Sequence, residues 1–367
     1  MPIAGTCMKL IQGTEMTPID VSPKQLASVI DACIQADIPL MIWGDGGLGK
    51  SRIAEQAALA SERRYLDFRA LIKDLPDLQG FPILSGMQED RPAPMTAPAD
   101  LPPSDSKDPW LIVLEELPGA PRMMQGALYG LILERRLNSY RLPANTRIIA
   151  TGNLATSGGV VQAMPKPLAN RFMHCRLVCT PYEHLAYAER SGWHPFVTAY
   201  HAMTQGGDWS NFDARSTEET YASPRSWERV SDLLNSGFIP PDVVTPMICG
   251  LIGYGIGLKF ASFVRLYATL APTVSAMRID PDNCPLPTDS AALWFLAATT
   301  AADKQAVSDP ARWASWAIPF LTRMSDELCV FAMHTATRKS QAVGRTTEFI
   351  KRFATNKRYA ALAVYCK

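Results

Sequence analysis

Apolar residues recur at helical spacing over 24–36 (KQLASVIDACIQA), and the pattern then changes abruptly. Residues 38–43 (IPLMIW) form an unbroken apolar run of strand length, as in a parallel strand buried on both faces. A glycine-rich loop follows, and then KSRIAEQAALASER (50–63), a run of strong helix formers. Further strands are predicted at 64–68 (RYLDF), 110–117 (WLIVLEEL), 146–153 (TRIIATGN) and 174–179 (HCRLVC), with a helix at 121–137 (PRMMQGALYGLILERRL). Strands alternating with helices predict an α/β class, a parallel five-stranded sheet between helices. Beyond residue 181 the strand signal fades into helical stretches punctuated by Pro and Gly. The expected organisation is an N-terminal extension (1–24), an α/β domain (25–180), a helical segment (181–275) and a C-terminal helical region (276–367). The Pro-rich stretch 84–109 is expected as a surface insert between the second and third strands, because so long a loop is usually functional or disordered.

The loop carries the first chemistry. Gly44-Asp45-Gly46-Gly47-Leu48-Gly49-Lys50-Ser51 fits GxxxxGK[ST] without a mismatch, and it stands between a predicted strand and a predicted helix. Backbone N–H groups in such a loop curl around a β-phosphate, Lys50 reaches the β- and γ-phosphates, and the Ser51 hydroxyl ligates magnesium. The following helix N-terminus, which includes Arg52, adds its dipole to the anion site. The nucleotide-binding stretch is therefore 44–52, and the implied cofactors are ATP and Mg2+.

Downstream residues decide what the loop is for. LIVLEE places Glu115 and Glu116 at the end of a buried strand, where paired carboxylates are costly without a cation or a task. Position makes Glu115 a magnesium residue and Glu116 the group that polarises water. Asn153 closes the next strand; alone it would read as a turn residue or cap, but its place lets an amide orient the attacking water. Arg171 in LANRF can stabilise charge on a transferring phosphoryl group, although a lone arginine is more often a surface ion-pair member. In SPRSWERV, Ser223 reads as an N-cap and Pro224 as the first helical residue, so Arg225 falls in the first turn. A cation there is electrostatically misplaced unless it faces an anion.

Composition narrows the classes. The 367 residues are 47% hydrophobic and 19% charged, with 36 basic and 35 acidic residues, which excludes disorder and gives no footprint for sequence-independent nucleic-acid or anionic-membrane binding. Eight scattered cysteines without a CxxC pair read as free thiols in a reducing cytoplasm, and His174, Cys175 and Cys179 make a poor zinc site. The start lacks the basic and apolar regions of a signal peptide. MICGLIGYGIGLKFASF (247–263) is too short and too polar for a bilayer and is expected as one buried helix. A soluble, cytoplasmic protein is expected, with no membrane contact.

The order of these motifs resembles that of the AAA+ ATPases, and within them the MoxR-like group. RALIKDLPDLQGFPIL (69–84) is similar to that group's segment after the second strand, with Asp77–Pro82 carrying an Asp-Leu-x-Gly-x-Pro pattern. LEELPGAPRMMQGALYGLILERRLNSYRLPANTRIIATGN (114–153) resembles its carboxylate strand, helix, hairpin and sensor strand, while MPKPLANRF and SPRSWERVSDLL resemble its arginine motifs. The resemblance covers about residues 25–260. It implies a P-loop NTPase core followed by an all-helical lid, with Lys50 and Ser51 on nucleotide and magnesium and Glu115 aiding the metal. It further implies Glu116 as general base, Asn153 as first sensor, Arg171 as a finger acting in trans and Arg225 as lid sensor. Glu115 departs from the family's Asp by one methylene. The family also implies a homo-oligomeric ring, commonly a hexamer, that remodels or activates a protein partner in chaperone fashion, many members working with a von Willebrand factor A domain protein. The Pro-rich 84–109 stretch falls where that group carries an insert.

Three other readings share the loop, of which a simple small-molecule kinase has no use for a finger acting in trans. A nucleic-acid motor or loader could hide basic residues in a pore despite the neutral chain. A nucleotide-gated scaffold that barely hydrolyses ATP would draw its support from Glu115.

Overall fold

In the computed structural model, residues 18–83, 95–154, 164–213, 216, 218–237, 240, 242–354, 356–359 and 362 are described. They divide into two compact units: 18–44, 50–154 and 164–178 in the first, and 45–49 with residues from 179 onward in the second.

The first unit is built on a six-stranded sheet. Its strands are β1 (Ile19–Val21), β2 (Leu40–Trp43), β3 (Arg64–Arg69), β4 (Trp110–Glu115), β7 (Thr146–Gly152) and β8 (Met173–Leu177). The spatial order is β1-β8-β2-β7-β4-β3, and every pairing is parallel. Helices α1 (Pro23–Ala36), α2 (Lys50–Ala60), α3 (Leu75–Gln79), α4 (Arg122–Glu134) and α5 (Lys166–Ala169) complete the unit. Leu40, Met41 and Ile42, like Leu111 to Leu114, are buried, as strands covered on both faces require. The chain leaves β2 toward β3 on one side and later returns from β7 to β8 on the other, so the order reverses at β2. Ligands in open parallel sheets bind at such a reversal, beyond the carboxyl ends of the strands.

The expected sheet had five strands, and the sixth is β1, inside the expected 1–24 extension. Three residues carry no readable period. β1 holds the sheet edge through its parallel pairing with β8 and a bidentate Arg176–Asp20 pair at 2.5 and 2.6 Å. A small antiparallel hairpin of β5 (Arg136–Leu137) and β6 (Tyr140–Arg141) precedes β7. Of the Pro-rich stretch 84–109, residues 84–94 lie outside the described residues. The remainder is not merely a surface insert: Leu101 is buried, and the Tyr140 hydroxyl donates to the Pro102 carbonyl at 2.6 Å.

The second unit is helical: α6 (Pro181–Arg190), α7 (Pro195–Met203), α8 (Pro224–Asn235), α9 (Val244–Ile252), α10 (Tyr254–Ile279), α11 (Ser290–Ala302), α12 (Gln305–Ser308), α13 (Pro310–Leu321), α14 (Asp326–Lys339), α15 (Gln341–Gly344) and α16 (Thr347–Phe353). The single buried helix expected over 247–263 is two, α9 and α10, broken at Gly253. Gly253 has φ 85°, a conformation that a side chain disfavours, and a Cβ there would meet the Thr220 carbonyl at 3.1 Å. One apolar core, with Trp227, Phe260, Phe295, Trp313, Phe320 and Phe353 among its largest members, runs from Ala188 to Leu362. α10 crosses the expected boundary at 275/276, so the lid and the C-terminal region share that core. Among the described residues no helix is long and apolar enough to cross a membrane.

Candidate functional site

Three neighbouring strands of the first unit end together. β2 runs into Gly44, β4 into Glu115 and Glu116, and β7 into Asn153. The Gly44 N–H donates to the Gly152 carbonyl at 3.2 Å, which fixes the root of the loop to the end of β7. Lys50 opens α2 and is 92% buried, with an exposure of 8%. Its ammonium donates to the Gly44 carbonyl at 2.8 Å and to Asn153 Oδ1 at 3.0 Å. A buried ammonium requires such partners, and both lie where a phosphate-binding lysine would turn toward an anion. Ser51 sits in the first turn of the same helix, half-buried. Arg52 is exposed and pairs with Glu55 at 3.0 Å along the helix surface, a contact of little energetic weight.

Glu115 and Glu116 are held by a residue that sequence reasoning missed. The Thr151 hydroxyl, wholly buried on β7, donates to Glu115 Oε2 at 2.5 Å and accepts from the Glu116 backbone N–H at 3.2 Å. A hydroxyl offers one donor and two acceptor sites, so one side chain can orient both carboxylate positions. The other oxygen, Glu115 Oε1, is buried without a hydrogen-bond partner. A buried carboxylate oxygen left open is the observation that fits a cation, and Glu115 and Ser51 are oxygen donors of the kind that could hold one. Glu116 adopts φ 53°, ψ 38°, a left-handed conformation that costs a non-glycine residue about 1 kcal/mol. Its side chain is exposed, so the strained backbone aims the carboxylate out of the strand end.

The second unit contains the loop residues Asp45–Gly49 and the start of α8. Ser223 caps α8, accepting from the Ser226 N–H at 3.2 Å, with Pro224 as the first helical residue. This is the cap and helix start expected from SPR. Arg225 is in the first turn, exposed, and no acidic residue accompanies it there. Gly47 has φ 81°, and a Cβ on it would lie 3.1 Å from Ser223 Oγ and 3.5 Å from Arg225 Cβ. Gly47 and Arg225 are therefore neighbours in this unit, and a side chain at 47 would crowd Ser223. Asp45, Gly46, Leu48 and Gly49 are half-buried.

Arg171 lies in the turn between α5 and β8, in the first unit, and is exposed. It is not gathered with Lys50, Glu115 and Asn153 by any hydrogen bond among the described residues. His174, weighed above as a weak zinc residue, accepts from the Trp43 indole N–H at 2.9 Å. Cys175 is buried, and burial pushes its thiol up to about 12. Among the described residues no three His, Cys, Asp or Glu side chains form a group that could hold a metal.

A scan against protein-family models finds no match, and a search of curated proteins likewise finds none. Among solved structures, NtrX from Brucella abortus in complex with ADP aligns over 93% of this chain and 68% of its own, at 15% identity and TM-score 0.36. The ATP complex of the same protein aligns over 74% and 65%, at 14% identity and TM-score 0.38. The RuvB Holliday junction branch migration motor of Thermotoga maritima aligns over 82% and 86%, at 13% identity and TM-score 0.37. The chain spans about two thirds of the length of the two NtrX structures.

Proposed function

We propose that this chain is an AAA+ ATPase of the MoxR-like group, hydrolysing ATP with magnesium in a ring, commonly a hexamer, to remodel or activate a protein partner. The observation that carries the reading is the meeting of Lys50, Asn153, Glu115 and Glu116 at adjacent strand ends beside a phosphate-loop motif. In this reading Lys50 exchanges Asn153 for the β- and γ-phosphates. Asn153, released, orients the attacking water, and Glu116 takes its proton as the water oxygen bonds to the γ-phosphorus and ADP departs. Glu115 Oε1 and the Ser51 hydroxyl would hold magnesium, which, when bound, neutralises charge on the β- and γ-oxygens. The extra methylene of Glu115 is compatible with this, because the Thr151 hydroxyl occupies the second oxygen and leaves the first free.

Arg225, a cation at a helix N-terminus beside the loop glycine, has the placement of a lid sensor for an anion. Arg171, exposed on its turn, suits a finger lent to a neighbouring subunit, which requires a head-to-tail ring. The family's habit makes a von Willebrand factor A domain protein the first partner to try.

Comparing turnover of the native protein with Glu116→Gln tests the reading: hydrolysis by the native chain and its loss in the variant support it, and equal rates overturn it. Mixing Arg171→Ala with Lys50→Ala chains tests the trans role, since activity returns only if one subunit's finger serves another's ATP. Hydrolysis stimulated by DNA or RNA, with affinity falling steeply with salt, would instead identify a nucleic-acid motor.

A further inference from the structure

His174 makes two hydrogen bonds that admit one protonation state. The Trp43 indole N–H is only a donor and reaches His174 Nδ1 at 2.9 Å. The Ala169 carbonyl is only an acceptor and lies 2.8 Å from Nε2. Both bonds hold only if the ring is neutral with its proton on Nε2; a charged ring would turn a donor toward the indole N–H. What these two bonds join matters more than the ring itself. Trp43 immediately precedes Gly44, whose carbonyl holds the Lys50 ammonium at 2.8 Å. Ala169 anchors the turn that carries Arg171: its carbonyl also accepts the Phe172 N–H at 3.1 Å, while the Arg171 N–H donates to Leu168 at 3.1 Å. All of these residues belong to the first unit.

We propose that His174 is a positioning residue that ties the root of a subunit's phosphate loop to the turn presenting that subunit's own Arg171. This rests on the ATPase reading, and it adds a consequence. In a ring, Arg171 serves the neighbour's nucleotide, so the occupancy of one site reaches the next through an imidazole that links Trp43 to the α5–β8 turn, alongside the parallel β2–β8 pairing. The path runs through the Lys50–Gly44 hydrogen bond, the Gly44–Trp43 peptide link and the Trp43–His174–Ala169 hydrogen bonds, rather than through a remote packing effect. Arg171 needs such support because its own side chain is exposed and its turn follows a four-residue helix.

Two amide variants separate the two bonds. The His174→Asn amide stands where Nδ1 stood and accepts from Trp43, but falls short of Ala169. The His174→Gln amide reaches the Nε2 position and donates to Ala169, but leaves Trp43. Expected for His174→Asn is a fall in kcat of about tenfold with KM for ATP little changed, as for a displaced catalytic group. Mixing these chains with Lys50→Ala chains, which lend an intact finger, should restore activity as it does for Arg171→Ala. His174→Gln should keep most of kcat and instead raise KM.

Native kcat in His174→Asn overturns the proposal, as does equal loss in both variants that follows their thermal midpoints. Absence of ATP hydrolysis in the native protein would overturn the ATPase reading, and the bridge is then decided separately. The 19F resonance of 5-fluorotryptophan at position 43, identified by its loss in Trp43→Phe, should shift in His174→Gln and hold in His174→Asn. A resonance unmoved in both overturns the bridge.

Discussion

The two units differ in the kind of buried polar group they leave without a partner. In the α/β unit, Lys50, Thr151 and Gln125 are buried and hydrogen-bonded. Four side-chain atoms there are buried without a partner, Arg63 Nε, Gln125 Oε1, Thr146 Oγ1 and Glu115 Oε1, and of these Glu115 Oε1 stands at the strand ends where chemistry is expected. In the helical unit, His184 Nε2, both nitrogens of His201 and Trp193 Nε1 are buried without partners among the described residues. They are packed as rings instead, His184 against His201 at 5.1 Å and His201 against Trp227 at 4.5 Å between centroids. An unpartnered buried group costs free energy wherever it lies. In the first unit the open carboxylate oxygen of Glu115 has a use for a cation; in the second the unpartnered rings serve as apolar bulk. Chemistry should therefore fail first in one unit and stability in the other.

The sharpest break in that comparison is Glu116→Gln. Loss of a general base typically costs about 10²–10⁴-fold in rate, or about 3–5 kcal/mol of barrier. Nucleotide affinity and thermal midpoint should hardly move, because the side chain is exposed. Steady-state phosphate release beside a nucleotide-binding titration checks both halves.

Acid should act on the other unit. Burial lowers His184 to about 4, lowers His201 well below its ordinary value, and lowers His194 to about 4 with help from Lys339. The folded state thus resists protonation that the unfolded chain accepts, so this contribution is full above the unfolded value near 6.5 and is lost as pH falls toward 4. His184 alone is worth about 3 kcal/mol over that window. Six of the eight tryptophans lie in this unit, so the urea midpoint read by tryptophan fluorescence should fall steeply between pH 7 and 4. A flat profile would break the comparison.

Much of the sheet and of the candidate site was legible in the sequence because the signals are local. A continuous apolar run marks β2, the glycine spacing marks the loop, and Ser-Pro marks the start of α8. β1 was not legible, since three residues paired by a distant strand carry no period of their own. Thr151 and His174 were missed for a related reason. Nothing in the string separates a strand threonine that orients two carboxylates from one that fills a pleat, and His174 beside Cys175 draws attention to metal. Their partners are 35 and 131 residues away, and only the sheet brings them together. The break at Gly253 was visible as a glycine but hidden among three others between 250 and 257 and their apolar neighbours, with no polar signal to favour one.

Thr151→Val sharpens the comparison from within the α/β unit. The shape is kept and the hydroxyl removed, which leaves Glu115 Oε2 and the Glu116 N–H without their partner. A loss of about 1–3 kcal/mol in stability is expected, together with a higher magnesium concentration for half-maximal hydrolysis. Thr151→Ser retains the hydroxyl and should restore the magnesium dependence more fully than the stability. Midpoints and magnesium titrations of the two variants give the check.

The smallest expected effect comes from the same kind of change in the helical unit. Ser223→Ala removes the hydroxyl that caps α8, while the Ser226 hydroxyl still accepts the residue-223 N–H at 2.8 Å. Half of the capping box survives, so the loss should be about 1 kcal/mol, the ordinary value of an N-cap. Arg225 follows in the first turn, and fraying there would loosen its guanidinium rather than displace a reacting group. Expected, then, is a modest rise in KM for ATP with kcat nearly intact, and a small fall in the fluorescence-detected midpoint. Ser223→Asp restores the cap and places a carboxylate beside the loop glycine at 47. It should recover stability while weakening ATP binding further, since that carboxylate repels phosphate. If Ser223→Asp recovers both, the start of α8 is structural and Arg225 loses its place in the site.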